Sequence, residues 1–138
     1  MSTTDTYIVG DVMLPKGQFP VVTPTTFLKP ALEEMGKARL GIVCVAGEDG
    51  RLAGILTDGD IRRQLLKIQK PFSSFFSDDV IDHAVKEPLT VREDSPLSIA
   101  VDLMEAKQVW DLPVVNAEGV LVGLLHLHPV VQLLMSGK

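Results

Sequence analysis

Hydrophobic and polar positions fall into a pattern that occurs twice along this chain. In the first half, residues 20–23 predict a short strand. Leu28, Leu32 and Met35 then recur at helical spacing, giving one apolar stripe on an amphipathic helix. Thr26 stands before that helix, where a hydroxyl can accept an orphan N–H. Pro30 lies about one turn in, where its missing N–H costs less than it would mid-helix. Two strands follow, at 42–45 and 52–56, joined across the turn residues Glu48, Asp49 and Gly50. A second helix is predicted over 60–68. The second half repeats this order. A strand at 89–91 precedes a helix with the stripe Leu97, Val101 and Met104. Ser95 is its expected cap, and Pro96 occupies the favoured first helical position. Strands at 113–115 and 120–125 meet across Ala117, Glu118 and Gly119, and a helix is predicted over 129–135.

The two halves superpose at an offset of 69 residues. Leu28 falls on Leu97, Ala31 on Ala100, Met35 on Met104, Val45 on Val114, Gly50 on Gly119, Gly54 on Gly123 and Leu56 on Leu125. Matches at glycines and apolar positions imply one backbone plan used twice. A copy of about 50–60 residues is marginal alone. The expected fold is therefore α+β: two β-α-β-β-α repeats packed with pseudo-two-fold symmetry, sheet against sheet. Residues 1–69 hold the first repeat with an N-terminal segment, and 70–138 hold a linker and the second repeat. The linker contains Phe72, Phe75 and Phe76, which are expected to fold back, because a solvated linker would not expose three aromatics.

Composition narrows the function. Hydrophobic residues make up 46% of the 138 and charged residues 22%, the balance of a globular chain. A net charge of -5 argues against nucleic acid or a membrane surface as partner, since both need a basic face. The one cysteine, Cys44, excludes an internal disulfide and sits in an apolar run as a buried thiol. The polar N-terminus has no signal-peptide character and no apolar run reaches membrane-spanning length, so the cytoplasm is the expected location. No nucleophile–base pair, metal triad or phosphate-cradling glycine loop is visible, so the chain is not read as an enzyme.

The repeat order, with Leu112-Pro113-Val114-Val115, Gly119-Val120-Leu121-Val122-Gly123 and Gly54-Ile55-Leu56-Thr57-Asp58-Gly59-Asp60, resembles a CBS pair, the Bateman module. A narrower resemblance, to the C-terminal CBS region of arabinose-5-phosphate isomerases, rests on three stretches. These are Thr57-Asp58-Gly59-Asp60-Ile61-Arg62-Arg63, Gly123-Leu124-Leu125-His126-Leu127-His128 and Val9-Gly10-Asp11-Val12-Met13. In those enzymes a separate sugar-isomerase domain carries the catalysis. No such domain fits in this chain, which is read as a detached regulatory part. The resemblance implies a homodimer of two pairs. It also implies no essential cofactor, and a small-molecule regulatory ligand, either an adenine nucleotide or a sugar nucleotide. The alternative is a ligand-free structural dimerisation module.

By that resemblance Asp60 holds ribose hydroxyls and Thr57 contacts phosphate. A carboxylate can accept from two vicinal hydroxyls, and a helix N-terminus offers free N–H groups to an anion. The same spacing is also a capping box, which satisfies orphan donors internally. Spacing alone leaves the two readings even. The repeat tips the balance, because the second copy places His126 and Pro129 at the equivalent positions. Arg62 and Arg63 oppose the helix dipole, which anion binding would explain; they are otherwise solvated or paired with Asp58 or Asp60. His126 and His128, two apart, share a face if both lie on a strand. Anion or sugar contact is favoured there over a metal. The resemblance has Val22 and Thr23 line a base pocket, against the alternative of an ordinary strand. Trp110 lines a cleft or makes a packing or dimer contact, and His83 is read as a surface residue.

Overall fold

A computed structural model describes residues 6–136. The polar start over residues 1–5 lies outside them. The chain divides into two compact units. One unit runs from Gly17 to Pro88. The other joins the described residues up to Lys16 to those from Leu89 onward.

In the first unit, β2 (Val21–Val22) pairs parallel with β3 (Ile42–Ala46), which pairs antiparallel with β4 (Leu52–Thr57). In the second, β5 (Val91–Arg92), β6 (Asp111–Val115) and β7 (Leu121–His126) make the same pattern, and β1 (Leu14–Pro15) adds to the free edge of β7. The registers repeat as well. Val22 faces Val45 as Val91 faces Val114, and Ile42 faces Thr57 as Asp111 faces His126. Gly50 and Gly119 turn between the paired strands at φ 81° and 82°, where a Cβ would be strained. The helices are α1 (Leu28–Ala38), α2 (Asp58–Lys67), α3 (Phe72–Phe76), α4 (Leu97–Lys107) and α5 (Leu127–Met135). The fold class is α+β, as read from the pattern. Among the described residues no helix is long and apolar enough to cross a membrane.

Each unit borrows the segment that precedes the other repeat. The linker brings Phe75 and Val80 into the core of Leu28, Ala31, Met35, Val43, Val45 and Leu56. Phe75 is buried as expected, whereas Phe72 is 61% exposed. The N-terminal segment likewise brings Val9 into the core of Leu97, Ala100, Met104, Leu112, Val114, Leu125 and Val130. Cys44 is buried in β3.

These borrowed segments also start the helices. Thr26 and Ser95 do not cap α1 and α4, whose N-cap residues are Phe27 and Pro96. The Thr26 hydroxyl serves the preceding loop instead, 3.1 Å from the Thr23 amide and 2.9 Å from the Thr23 hydroxyl. The first helical N–H groups donate to backbone carbonyls, Leu28 to Asp78 at 2.8 Å and Leu97 to Tyr7 at 2.9 Å. An orphan helical donor needs one acceptor, and a carbonyl from a neighbouring segment serves as well as a hydroxyl.

Candidate functional site

The start of α2 is closed by side chains. Thr57, in extended conformation, is its N-cap. Asp60 Oδ2 accepts from the Thr57 amide at 3.0 Å and from the Thr57 hydroxyl at 2.8 Å, while the Asp60 amide donates to Thr57 Oγ1 at 3.2 Å. This is a complete capping box. On the other carboxylate oxygen, Asp60 Oδ1 accepts from Arg63 Nη2 at 2.7 Å. A carboxylate offers about four acceptor positions. Three are used here, so one remains on Oδ1 and a second opens if Arg63 swings away. Arg63 is half-exposed and can do so. Arg62 is exposed and has no ion pair or hydrogen bond among the described residues.

Val22 and Thr23 do not join this cluster. Val22 faces Val45, while Thr57 faces Ile42, so the two lie at diagonal corners of the three-stranded sheet. Three residues along a strand and two strand spacings put them roughly 14 Å apart. One ligand could touch both only by spanning the sheet.

The second copy carries different chemistry at the equivalent place. His126 ends β7 and is the N-cap of α5, without a side-chain cap bond. Its Nδ1 lies 2.6 Å from Asp111 Oδ1, across the strand pair. Burial pushes the Asp111 carboxyl above its usual range, and the hydrogen bond to His126 acts against that rise. His128 does not share a strand face with His126, because α5 begins at Leu127 and takes His128 into the helix. There it is exposed and without a bonded partner among the described residues. Pro129 is the third helical residue, a place where the missing N–H removes no intrahelical bond.

Two groups escaped the sequence reading. Asp111 aligns with Ile42, and its polarity at the start of an apolar strand was the available signal. His83 is not a surface residue; its side chain is 13% exposed. Its Nε2 lies 2.8 Å from Asp78 Oδ2 and its Nδ1 3.3 Å from Gln64 of α2, with the ring edge-on to Phe75 at 4.9 Å between centroids. Lys70 also donates to both Asp78 oxygens at 2.8 Å. The Lys70 and His83 bonds hold the Asp78 carboxyl below its usual range. A separate cleft of about 490 Å³ in this unit is lined by Asp58 but by neither Thr57 nor Asp60.

The family follows from comparison with known proteins. The CBS domain family matches residues 9–67 and 78–132, and the chain belongs to it. Among solved structures it is similar to CBSX2 in complex with AMP, with 32% identity, a TM-score of 0.84, and coverage of 96% of this chain and 98% of that one. CBSX2 is a CBS-pair protein from Arabidopsis thaliana. Among curated proteins it is 37% identical over 108 residues to a probable arabinose 5-phosphate isomerase of Haemophilus influenzae. That match spans 78% of this chain and 31% of the relative. It is 34% identical over 129 residues to the arabinose 5-phosphate isomerase KdsD of Pseudomonas aeruginosa, spanning 90% of this chain and 37% of that enzyme. The chain thus covers about a third of the length of the curated relatives it matches.

Proposed function

We propose that this chain is a non-catalytic sensor. Its first repeat binds an adenine nucleotide or a sugar nucleotide at the start of α2, and occupancy regulates an arabinose-5-phosphate isomerase in the cytoplasm. The observation that carries this reading is the Thr57–Asp60 pair on a half-buried helix start, beside Arg62, which has no ion pair among the described residues. Asp60 Oδ1 accepts from a ribose hydroxyl, exchanging Arg63 for ligand if both vicinal hydroxyls bind. Thr57 and Arg62 face the phosphate, where a helix N-terminus favours negative charge. The AMP bound by CBSX2, at 32% identity over nearly its whole length, supports an adenine nucleotide as the first ligand to try. Pro129 offers neither an amide nor a side-chain acceptor, so the second repeat has no equivalent of Asp60 and one strong site per chain is expected. The chain acts as a homodimer, as the resemblance to CBS pairs implies.

Isothermal titration with AMP, and then with a nucleotide-linked acidic sugar, tests this directly. Saturable heat at one site per chain is expected for at least one of them. No heat from either would leave the structural dimerisation reading in its place. Turnover of arabinose 5-phosphate that survived repurification would overturn the non-catalytic part.

A further inference from the structure

The two repeats differ sharply in side-chain size at one pair of equivalent positions. Gly41 and Trp110 occupy the same backbone place: the carbonyl of each accepts the first N–H of the following helix, from Asp58 at 3.0 Å and from Leu127 at 2.9 Å. In the first repeat this place borders the 490 Å³ cleft, whose apolar floor is Leu32, Met35, Leu40 and Ile61. Gly41 contributes no side chain to it. Gly36 also lines the cleft, and a Cβ there would meet no atom within 4 Å. In the second repeat the same place carries Trp110, 70% exposed, with Glu105 standing where Gly36 does. An exposed indole is costly, since burying such a ring removes about 150–250 Å² from water.

We propose that Trp110 of one copy of the chain seats in the α1–α2 cleft of a second copy, so that unlike repeats face each other across the interface. Charge supports that pairing over like against like. Helices α1 and α2 with Arg39 carry six basic and four acidic side chains, whereas α4 and α5 carry one basic and two acidic ones. Arg39 lines the cleft and has no ion pair among the described residues. Glu105 and Asp102 are exposed on α4, also without one. A seated Trp110 brings Glu105 toward the partner's Arg39; Gly36 stands at the Glu105 place in the first repeat, so two copies of the first-repeat face lack that particular pair, although Glu33 and Asp102 put an acid at the same place in both repeats. Leu66 and Met135, equivalent residues on α2 and α5, are 80% and 81% exposed and add apolar surface for the same contact.

Trp110 is the one tryptophan in the chain, so its fluorescence reports on this contact alone. This inference rests on the homodimer reading above, and the two can fail separately. Light scattering on the full chain should give about twice the 15.0 kDa monomer mass. Trp110 should be shielded from acrylamide, and dilution should expose it with the same midpoint as the fall in mass. Trp110→Ala should raise the dissociation constant at least ten-fold, as loss of a buried aromatic anchor does. Gly36→Glu should do the same by filling the cleft, and the fold accepts it, since Glu105 is native at that place in the second repeat. Circular dichroism melts check that both variants are folded. A dimer whose Trp110 is quenched like free indole, or that forms equally well in both variants, would overturn the seating and leave the homodimer intact. A monomer at every concentration would overturn both.

Discussion

Removing the Asp60 carboxylate should weaken both the fold and the ligand, and the two losses can be separated. Asp60→Ala deletes three accepted bonds, from the Thr57 amide, the Thr57 hydroxyl and Arg63. Loss of a capping residue costs about 0.5–2 kcal/mol. The Arg63 pair adds about 0–1 kcal/mol, because that guanidinium is half in water. The Thr57 amide, part-buried, then needs water as its acceptor. A total of about 2 kcal/mol should lower the melting temperature by roughly 6–10 °C for a chain of this size. The loss on the ligand side is a charged acceptor to ribose, about 1.5–3 kcal/mol, or ten- to a hundred-fold in affinity. Asp60→Asn divides the two. Its amide oxygen can still accept from Thr57, so most of the cap persists, but the negative charge is gone. We expect Asp60→Asn to melt near wild type and yet bind AMP about ten-fold more weakly in calorimetry at 25 °C. If both variants bound AMP like wild type while Asp60→Ala melted early, the box would be a cap and nothing more.

Two further outcomes follow from the linker. Phe75→Ala should cost about 3–5 kcal/mol in urea unfolding, because a fully buried ring leaves a cavity among Leu28, Met35 and Leu56; a loss under about 1 kcal/mol would mean that the linker does not contribute to the core. Asp78, held below its usual pKa by Lys70 and His83, binds protons less readily folded than unfolded, so its stabilisation is complete above about 3.8 and is lost as pH falls through the lowered value. Asp78→Asn should therefore be less stable than wild type at about pH 6, with the gap closing as pH falls from about 3.8 through the lowered value; a gap that did not narrow with acid would assign the effect to shape rather than charge.

The parts of this fold that were legible in the sequence are those fixed by local periodicity and by the repeat. Leu28, Leu32 and Met35 mark the buried side of α1, and the match of Gly50 to Gly119 locates both turns. Contacts between distant segments were not legible. Nothing near Thr26 reveals that the Asp78 carbonyl reaches Leu28 first, and nothing near Val9 reveals that it belongs with Leu97. The His126–Asp111 pair needed the strand register, which places the two residues opposite each other though they lie fifteen apart in sequence. His128 was misplaced by a shorter-range effect. The helix begins one residue after the strand ends, so a two-residue spacing that suits a strand face falls across the boundary.

The comparison between repeats bears most strongly on the box at Thr57. A capping box is a sufficient reason for Thr and Asp at this spacing, and in a single-copy fold the matter would rest there. Here the second copy builds the same strand–helix junction with the same register and the same first-turn carbonyl bond, and does so with no side-chain cap on α5. The backbone plan therefore does not require the box. The second copy also places a desolvated carboxylate, Asp111, at this junction and holds it with His126. Both copies thus put a carboxylate and a hydrogen-bonding partner where β4 or β7 gives way to its helix, using different residues drawn from different strands. A packing requirement would have kept the same residues in the same places. The box at Thr57 is therefore the place we propose for a ligand, whereas at the start of α5 the carboxylate is already held by His126.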